Sequence, residues 1–287
     1  MNFLSIRNEN NIEIYNVKSK EGKSFFEVAK DRGAIVTKIN LMGKDILYLN
    51  QETLFDFSKN IRGGIPILFP VCGRVIDNKI SFKNNTYIMK NHGFARDLQW
   101  RYEGLYESIE ETGIIFSLNS NQKTLEMYPY EFKIVIVYKI KEDAFSIHFN
   151  IENRSEEPLP FYAGFHPYFL CNKDQFEIQF DCERGFDDLL KREISEDDYR
   201  YLDFSKDEIN LDFYNVKSPV LFSLSNDVKL EMDFDSSYKN LVIWSLKGFP
   251  YVCIEPWMGE HEGYLKDDFI YLEKGEIHST YVDLKLK

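Results

Sequence analysis

The sequence is poor in cysteine, in positive charge and in helical periodicity, and each shortage removes a class of protein. Its 287 residues contain four cysteines, Cys72, Cys171, Cys182 and Cys253. None forms a C-x-x-C pair or has zinc-site spacing. Each sits among apolar neighbours, which predicts buried free thiols. A chain of this length buries roughly three quarters of its unfolded surface, so it needs neither disulfides nor a structural metal. Lys and Arg number 35 against 47 Asp and Glu, a net charge of −12. That balance excludes a general nucleic-acid or anionic-membrane binder, which needs a basic face to neutralise phosphates. A small anion held by a few local arginines remains compatible with it.

Uncharged stretches such as Gly63 to Gly73 are too short to span a bilayer. Met1 to Asn11 has no continuous apolar core and no cleavage-site pattern, so a soluble cytoplasmic protein is expected. Neither an internal repeat nor a Pro/Gly/Ser linker divides the chain, which predicts one domain over residues 1–287. Helical periodicity is confined to an acidic stretch, Asp187 to Tyr201, read as a short helix.

Aromatic side chains and period-two alternation are abundant. The 24 Phe, 18 Tyr and 3 Trp suit half-buried pleated surfaces and sugar-binding clefts alike. Phe145, Ile147, Phe149 and Ile151 alternate with polar residues, as do Ile178 and Phe180, and Leu230, Met232 and Phe234. Ile134 to Val137 reads as a strand buried on both faces. Ile80 to Met89 reads as a hairpin turning at Asn84-Asn85. Many short antiparallel strands with frequent turns mean a sandwich or barrel, and the fold class is all-β.

Four segments break the alternation: Arg62-Gly-Gly-Ile-Pro66 with Gly73-Arg74, Asn91-His-Gly-Phe-Ala-Arg96, Gly164-Phe-His-Pro-Tyr-Phe169, and Tyr251-Val-Cys-Ile-Glu-Pro-Trp257. In an extended strand Glu255 shares a face with Tyr251 and Cys253, and Pro256 suggests that the strand ends there, at a rim. A carboxylate partly desolvated among aromatics has a raised pKa and serves as a base near neutrality; a structural ion pair explains it equally well. His166 and His92 titrate near working pH, although a backbone-bonded core histidine is the plainer reading of each alone. His148 belongs to a polar strand face, and His261 and His278 lie in solvated, turn-rich sequence. No P-loop, dinucleotide fingerprint, nucleophile elbow or paired-histidine metal motif is present. A glycosidase needs a second carboxylate, for which Glu260 or Glu262 is the candidate.

In order and separation these motifs resemble the aldose 1-epimerases, or galactose mutarotases, and the related hexose-6-phosphate 1-epimerases. The resemblance implies a β-supersandwich of two large twisted antiparallel sheets, with a sugar bound across one of them. It implies interconversion of α and β anomers of a hexose without cofactor or metal. By that similarity Glu255 takes the proton of the anomeric hydroxyl and His166 protonates the ring oxygen. His92 assists at the ring oxygen or a neighbouring hydroxyl. Arg62, Arg74, Arg96 and Trp257 are the substrate-binding candidates, Trp257 and Phe94 as stacking faces. Arg62 and Arg96 look like the arginines of the phosphate branch, since guanidinium forks match phosphate oxygens. The partner is therefore a small sugar or sugar phosphate. No position matches the family's substrate-contacting Asp, and a non-catalytic carbohydrate-binding protein is the alternative from another class.

Overall fold

The computed structural model describes residues 3–195, 199–200 and 202–287. The alternating segments form two eight-stranded antiparallel sheets. The back sheet runs in the order Glu177–Asp181, Lys217–Ser225, Val228–Phe234, Ile277–Leu286, Ala144–Asn153, Phe132–Ile140, Thr112–Asn119 and Arg101–Glu107. The front sheet runs Arg192–Ile194, Arg184–Asp187, Glu208–Tyr214, Asn240–Leu246, Tyr251–Trp257, Gly164–Phe165 and Ile67–Leu68, with Tyr168–Leu170 also paired to Tyr251–Trp257. A five-stranded meander from Leu4–Glu9 to Lys44–Asp45 completes the body. Among the described residues, no helix is long and apolar enough to cross a membrane.

The two large sheets face each other through the apolar half of each alternation. Phe149 meets Phe165 at 5.4 Å between ring centroids, Phe222 meets Phe169 at 4.9 Å, and Phe180 meets Phe213 at 4.9 Å. Such pairs contribute about 0.5–1.5 kcal/mol each beyond the area they bury. The all-β supersandwich expected from the sequence is the fold observed.

Three local expectations are corrected. Residues Ile134 to Val137 alternate between buried and half-buried, because only one face of their strand meets the core. The hairpin of Lys79–Phe82 and Asn85–Ile88 turns at Lys83-Asn84, both with positive φ, one residue earlier than expected. Of the helix expected over Asp187 to Tyr201, Tyr199 and Arg200 are helical, whereas Asp187 and Arg192–Ile194 belong to paired strands, Arg184–Asp187 with Arg192–Ile194. Residues 196–198 and 201 lie outside the described residues.

Candidate active site

Antiparallel register brings the site together. Gly164 pairs with Trp257 and Tyr168 with Cys253, and the same register sets His166 opposite Glu255. On the other side Glu255 pairs with Val242, and Val242 with Asp212. Cross-strand partners share a face, so His166, Glu255, Val242 and Asp212 form one row across the front sheet, facing away from the inter-sheet core. Pro256 does not end its strand, which runs on to Trp257 between neighbours on both sides. The adjoining strand is interrupted at His166-Pro167, and the His166 N–H donates to the Pro66 carbonyl (3.1 Å), continuing the register that pairs Gly164–Phe165 with Ile67–Leu68.

Glu255 is 1% exposed and His166 8%. The His166 Nδ1 lies 3.3 Å from Glu255 Oε1, and its ring stacks on Tyr168 at 4.7 Å. Burial pushes the Glu255 carboxyl well above its ordinary range; the nearby Trp257 indole N–H and Arg96 pull it down, and Asp212 adds to the rise. Burial pushes His166 well below the usual imidazole value, helped by the charges of Arg96 and Arg62. His92 is lowered in the same way, by burial first and then by Arg96.

His92 is held at a left-handed φ of 67° between Asn91 and Gly93. The Gly73 N–H donates to its Nδ1 (3.1 Å), and the His92 N–H donates to the Gly73 carbonyl (2.9 Å). With Nδ1 an acceptor, the neutral ring carries its proton on Nε2 and offers a donor. Its ring lies 5.6 Å from both His166 and Trp257.

Two residues not assigned to the site from sequence complete it. The side chain of Asp212, 7% exposed, sits with Oδ1 3.5 Å from His261 Nε2. His261, expected in solvent, packs edge-on to Trp257 at 5.0 Å and accepts at Nδ1 from the Arg74 N–H (3.1 Å). Its Nε2 is therefore the donor. His278, expected in solvent as well, is half-buried against Phe161 and remote from this group. His148 is on the polar strand face as expected.

The binding candidates divide. Arg96 donates to the Asn91 carbonyl (3.0 Å) and leaves its buried Nε without a partner. Arg62 is exposed, its guanidinium 5.3 Å over the Trp244 ring. The Arg74 guanidinium is engaged: it grips Asp188 with two bonds of 2.6 and 3.0 Å and reaches Glu262 at 3.2 Å. Trp257 is almost fully buried, so it presents its unpartnered N–H rather than an open ring face. Phe94 packs among Phe69, Tyr128 and Phe132 in the core.

Of nine buried side-chain polar atoms without a hydrogen-bond partner among the described residues, six belong to this group: Arg96 Nε, His166 Nδ1, Asp212 Oδ1, Glu255 Oε2, Trp257 Nε1 and His261 Nε2. Each such atom costs about 1–3 kcal/mol, and they are gathered rather than scattered. The group mixes N–H donors with carboxylate acceptors, the chemistry that a polyhydroxylated ligand satisfies.

Known proteins resemble this chain in sequence and in fold. Protein LacX (chromosomal) of Lactococcus lactis subsp. lactis is 29% identical over 226 residues, spanning 69% of this chain and 74% of LacX. The crystal structure of Slr1438 from Synechocystis sp. PCC 6803 matches with a TM-score of 0.90 at 28% identity, over 98% of this chain and 96% of that one. A galactose mutarotase-like protein from Clostridium acetobutylicum shares the fold, with a TM-score of 0.83 at 16% identity, over 100% of this chain and 99% of that one. The family model described as aldose 1-epimerase matches residues 20–282. The chain belongs to the aldose 1-epimerase family.

Proposed function

We propose that this protein interconverts the α and β anomers of a hexose by general acid–base ring opening and closure. The observation that carries the reading is the facing pair His166 and Glu255, buried together with further unpartnered donors and acceptors. Glu255 takes the proton from the anomeric hydroxyl while His166 delivers one to the ring oxygen, and the C1–O bond of the ring breaks. Rotation about C1–C2 turns the aldehyde, and closure on its other face returns both protons. General acid–base help of this kind supplies about 10²- to 10⁴-fold in rate.

The pair exchanges one proton between its members. Burial favours the state with Glu255 protonated and His166 neutral. That is the state reached after ring opening. A closed sugar is turned over from the opposite arrangement, in which hydroxyls replacing lost water, together with the Trp257 N–H, support the carboxylate. His92, with its Nε2 proton, donates to the ring oxygen or a neighbouring hydroxyl. Asp212 and His261 supply an acceptor and a donor to hydroxyls on the far side, and Arg74 holds that side in place through Asp188 and Glu262.

The test is Glu255→Gln, which should keep sugar affinity within about threefold and lower anomer exchange by at least about 100-fold. Exchange at the wild-type rate would refute the assignment. Retained binding by a wild-type protein that exchanges nothing would favour a carbohydrate-binding role. Of the second acids that a glycosidase reading takes from the sequence, Glu260 is ion-paired with Lys266 and Glu262 with Arg74.

A hexose 6-phosphate is the second reading of the substrate. It is supported by Arg62 and Arg96, whose charges both reach His166.

A further inference from the structure

Cys253 takes no part in the proton transfers above, yet it shares their space. It lies two residues before Glu255 on the same strand face, opposite Tyr168, and is fully buried. One ligand atom each from His166, Cys253 and Glu255 lie within 4.8 Å of one another. The His166 Nδ1 and Glu255 Oε2 make no hydrogen bond, and the His166 side chain is nine-tenths buried with Nδ1 turned toward the carboxylate.

We propose that His166, Cys253 and Glu255 form a three-donor site for a thiophilic divalent cation, zinc foremost, in competition with the sugar. A nitrogen, a sulfur and an oxygen suit zinc, whereas calcium and magnesium require mostly oxygen. Zinc bonds to these donors run about 2.0–2.3 Å, which sets tetrahedral donors roughly 3.3–3.7 Å apart. The separation of 3.3 Å between His166 Nδ1 and Glu255 Oε1 already meets that spacing. The remaining separations, up to 4.8 Å, require the Cys253 and Glu255 side chains to rotate inward when the ion binds. On binding, the Cys253 thiol and the Glu255 carboxyl each release their proton to solvent, so two anionic donors neutralise the ion and a fourth position stays open to water. A metal-bound Glu255 cannot accept the anomeric proton, and a metal-bound His166 Nδ1 cannot exchange one with Glu255. Metal uptake does not depend on the epimerase reading; only the inhibition does.

The test titrates metal-free protein with Co²⁺ and Zn²⁺. One equivalent of Co²⁺ should bind with a thiolate-to-metal charge-transfer band in the near ultraviolet, displaced by Zn²⁺ and abolished by a chelator. Cys253→Ser and Cys253→Ala should lose the band and bind at least about tenfold more weakly. Because Cys253 is buried, circular dichroism checks that these variants fold. Glu255→Gln offers a second test, keeping the band while weakening binding. Zinc should also slow anomer exchange in the wild type, with relief by added sugar. A Co²⁺ complex without the band, a band that survives in Cys253→Ser, or no uptake of either ion at millimolar concentration would overturn the proposal. Uptake with the band in a protein that exchanges no anomers supports the metal site and counts against the epimerase reading alone.

Discussion

Arg74 and Asp188 clamp one rim of the site, and their charges give the fold a pH dependence. The Arg74 guanidinium, by its two hydrogen bonds, holds the Asp188 carboxyl well below the usual carboxylate range, with Lys191 adding to the effect. A depressed carboxyl contributes stability above its unfolded pKa of about 3.9 and loses it as pH falls through the folded value. Asp188→Asn should therefore cost about 1–3 kcal/mol at pH 7 and flatten the loss of stability below about pH 4, read by urea unfolding across pH. A variant as stable as the wild type at pH 7 would mean that the pair is solvated and adds nothing.

At this scale Glu255, His166 and His92 were legible because each interrupts a pattern. Asp212 was not, because Asn210, Asp212 and Tyr214 occupy the polar positions of an ordinary alternating strand between Ile209, Leu211 and Phe213. Nothing in that string separates Asp212 from Asp233. The difference lies in which sheet face receives each, and pairing partners far along the chain decide that. His261 was missed for a similar reason: an acidic, turn-rich stretch reads as solvent-exposed, yet it folds back onto Gly73 and Trp257.

The elements that position the site depend on backbone positions with little tolerance. Gly73 has a φ of 80°, and a Cβ there would stand 2.8 Å from His261 Nδ1 and 3.1 Å from Trp257. The same residue donates its N–H to the His92 Nδ1 and accepts the His92 N–H at its carbonyl. Gly73→Ala should leave the protein folded but displace both histidines, lowering kcat/KM for exchange by about 10- to 100-fold. Unchanged kinetics in the folded variant would remove His92 and His261 from the account. The alternation marked the strands well, whereas Pro256 misled. A proline normally ends a central strand, and here the strand runs through Pro256 to Trp257, paired with Leu241 and Asn240 on one side and Gly164 on the other.

On the scale of the whole molecule, two sheets packed through aromatic rings form the base; Glu255 and Asp212 stand on the outer face of one sheet, His166 lies in the break between two of its strands, and His92 and His261 reach in from turns. The all-β class, the single run of alternating strands and the paired large sheets were readable from periodicity and from resemblance. The five-stranded meander at the start and the order of strands were not, because alternation tells which residues are buried but not which strand lies beside which.

The most direct measurement is anomer exchange by magnetisation-transfer NMR, with glucose, galactose and glucose 6-phosphate compared under one set of conditions. The account predicts faster exchange of a hexose with the wild-type protein, abolished in Glu255→Gln. Acceleration confined to the phosphate ester would assign Arg62 and Arg96 to phosphate binding. Folded protein that accelerates none of the three sugars would contradict the account.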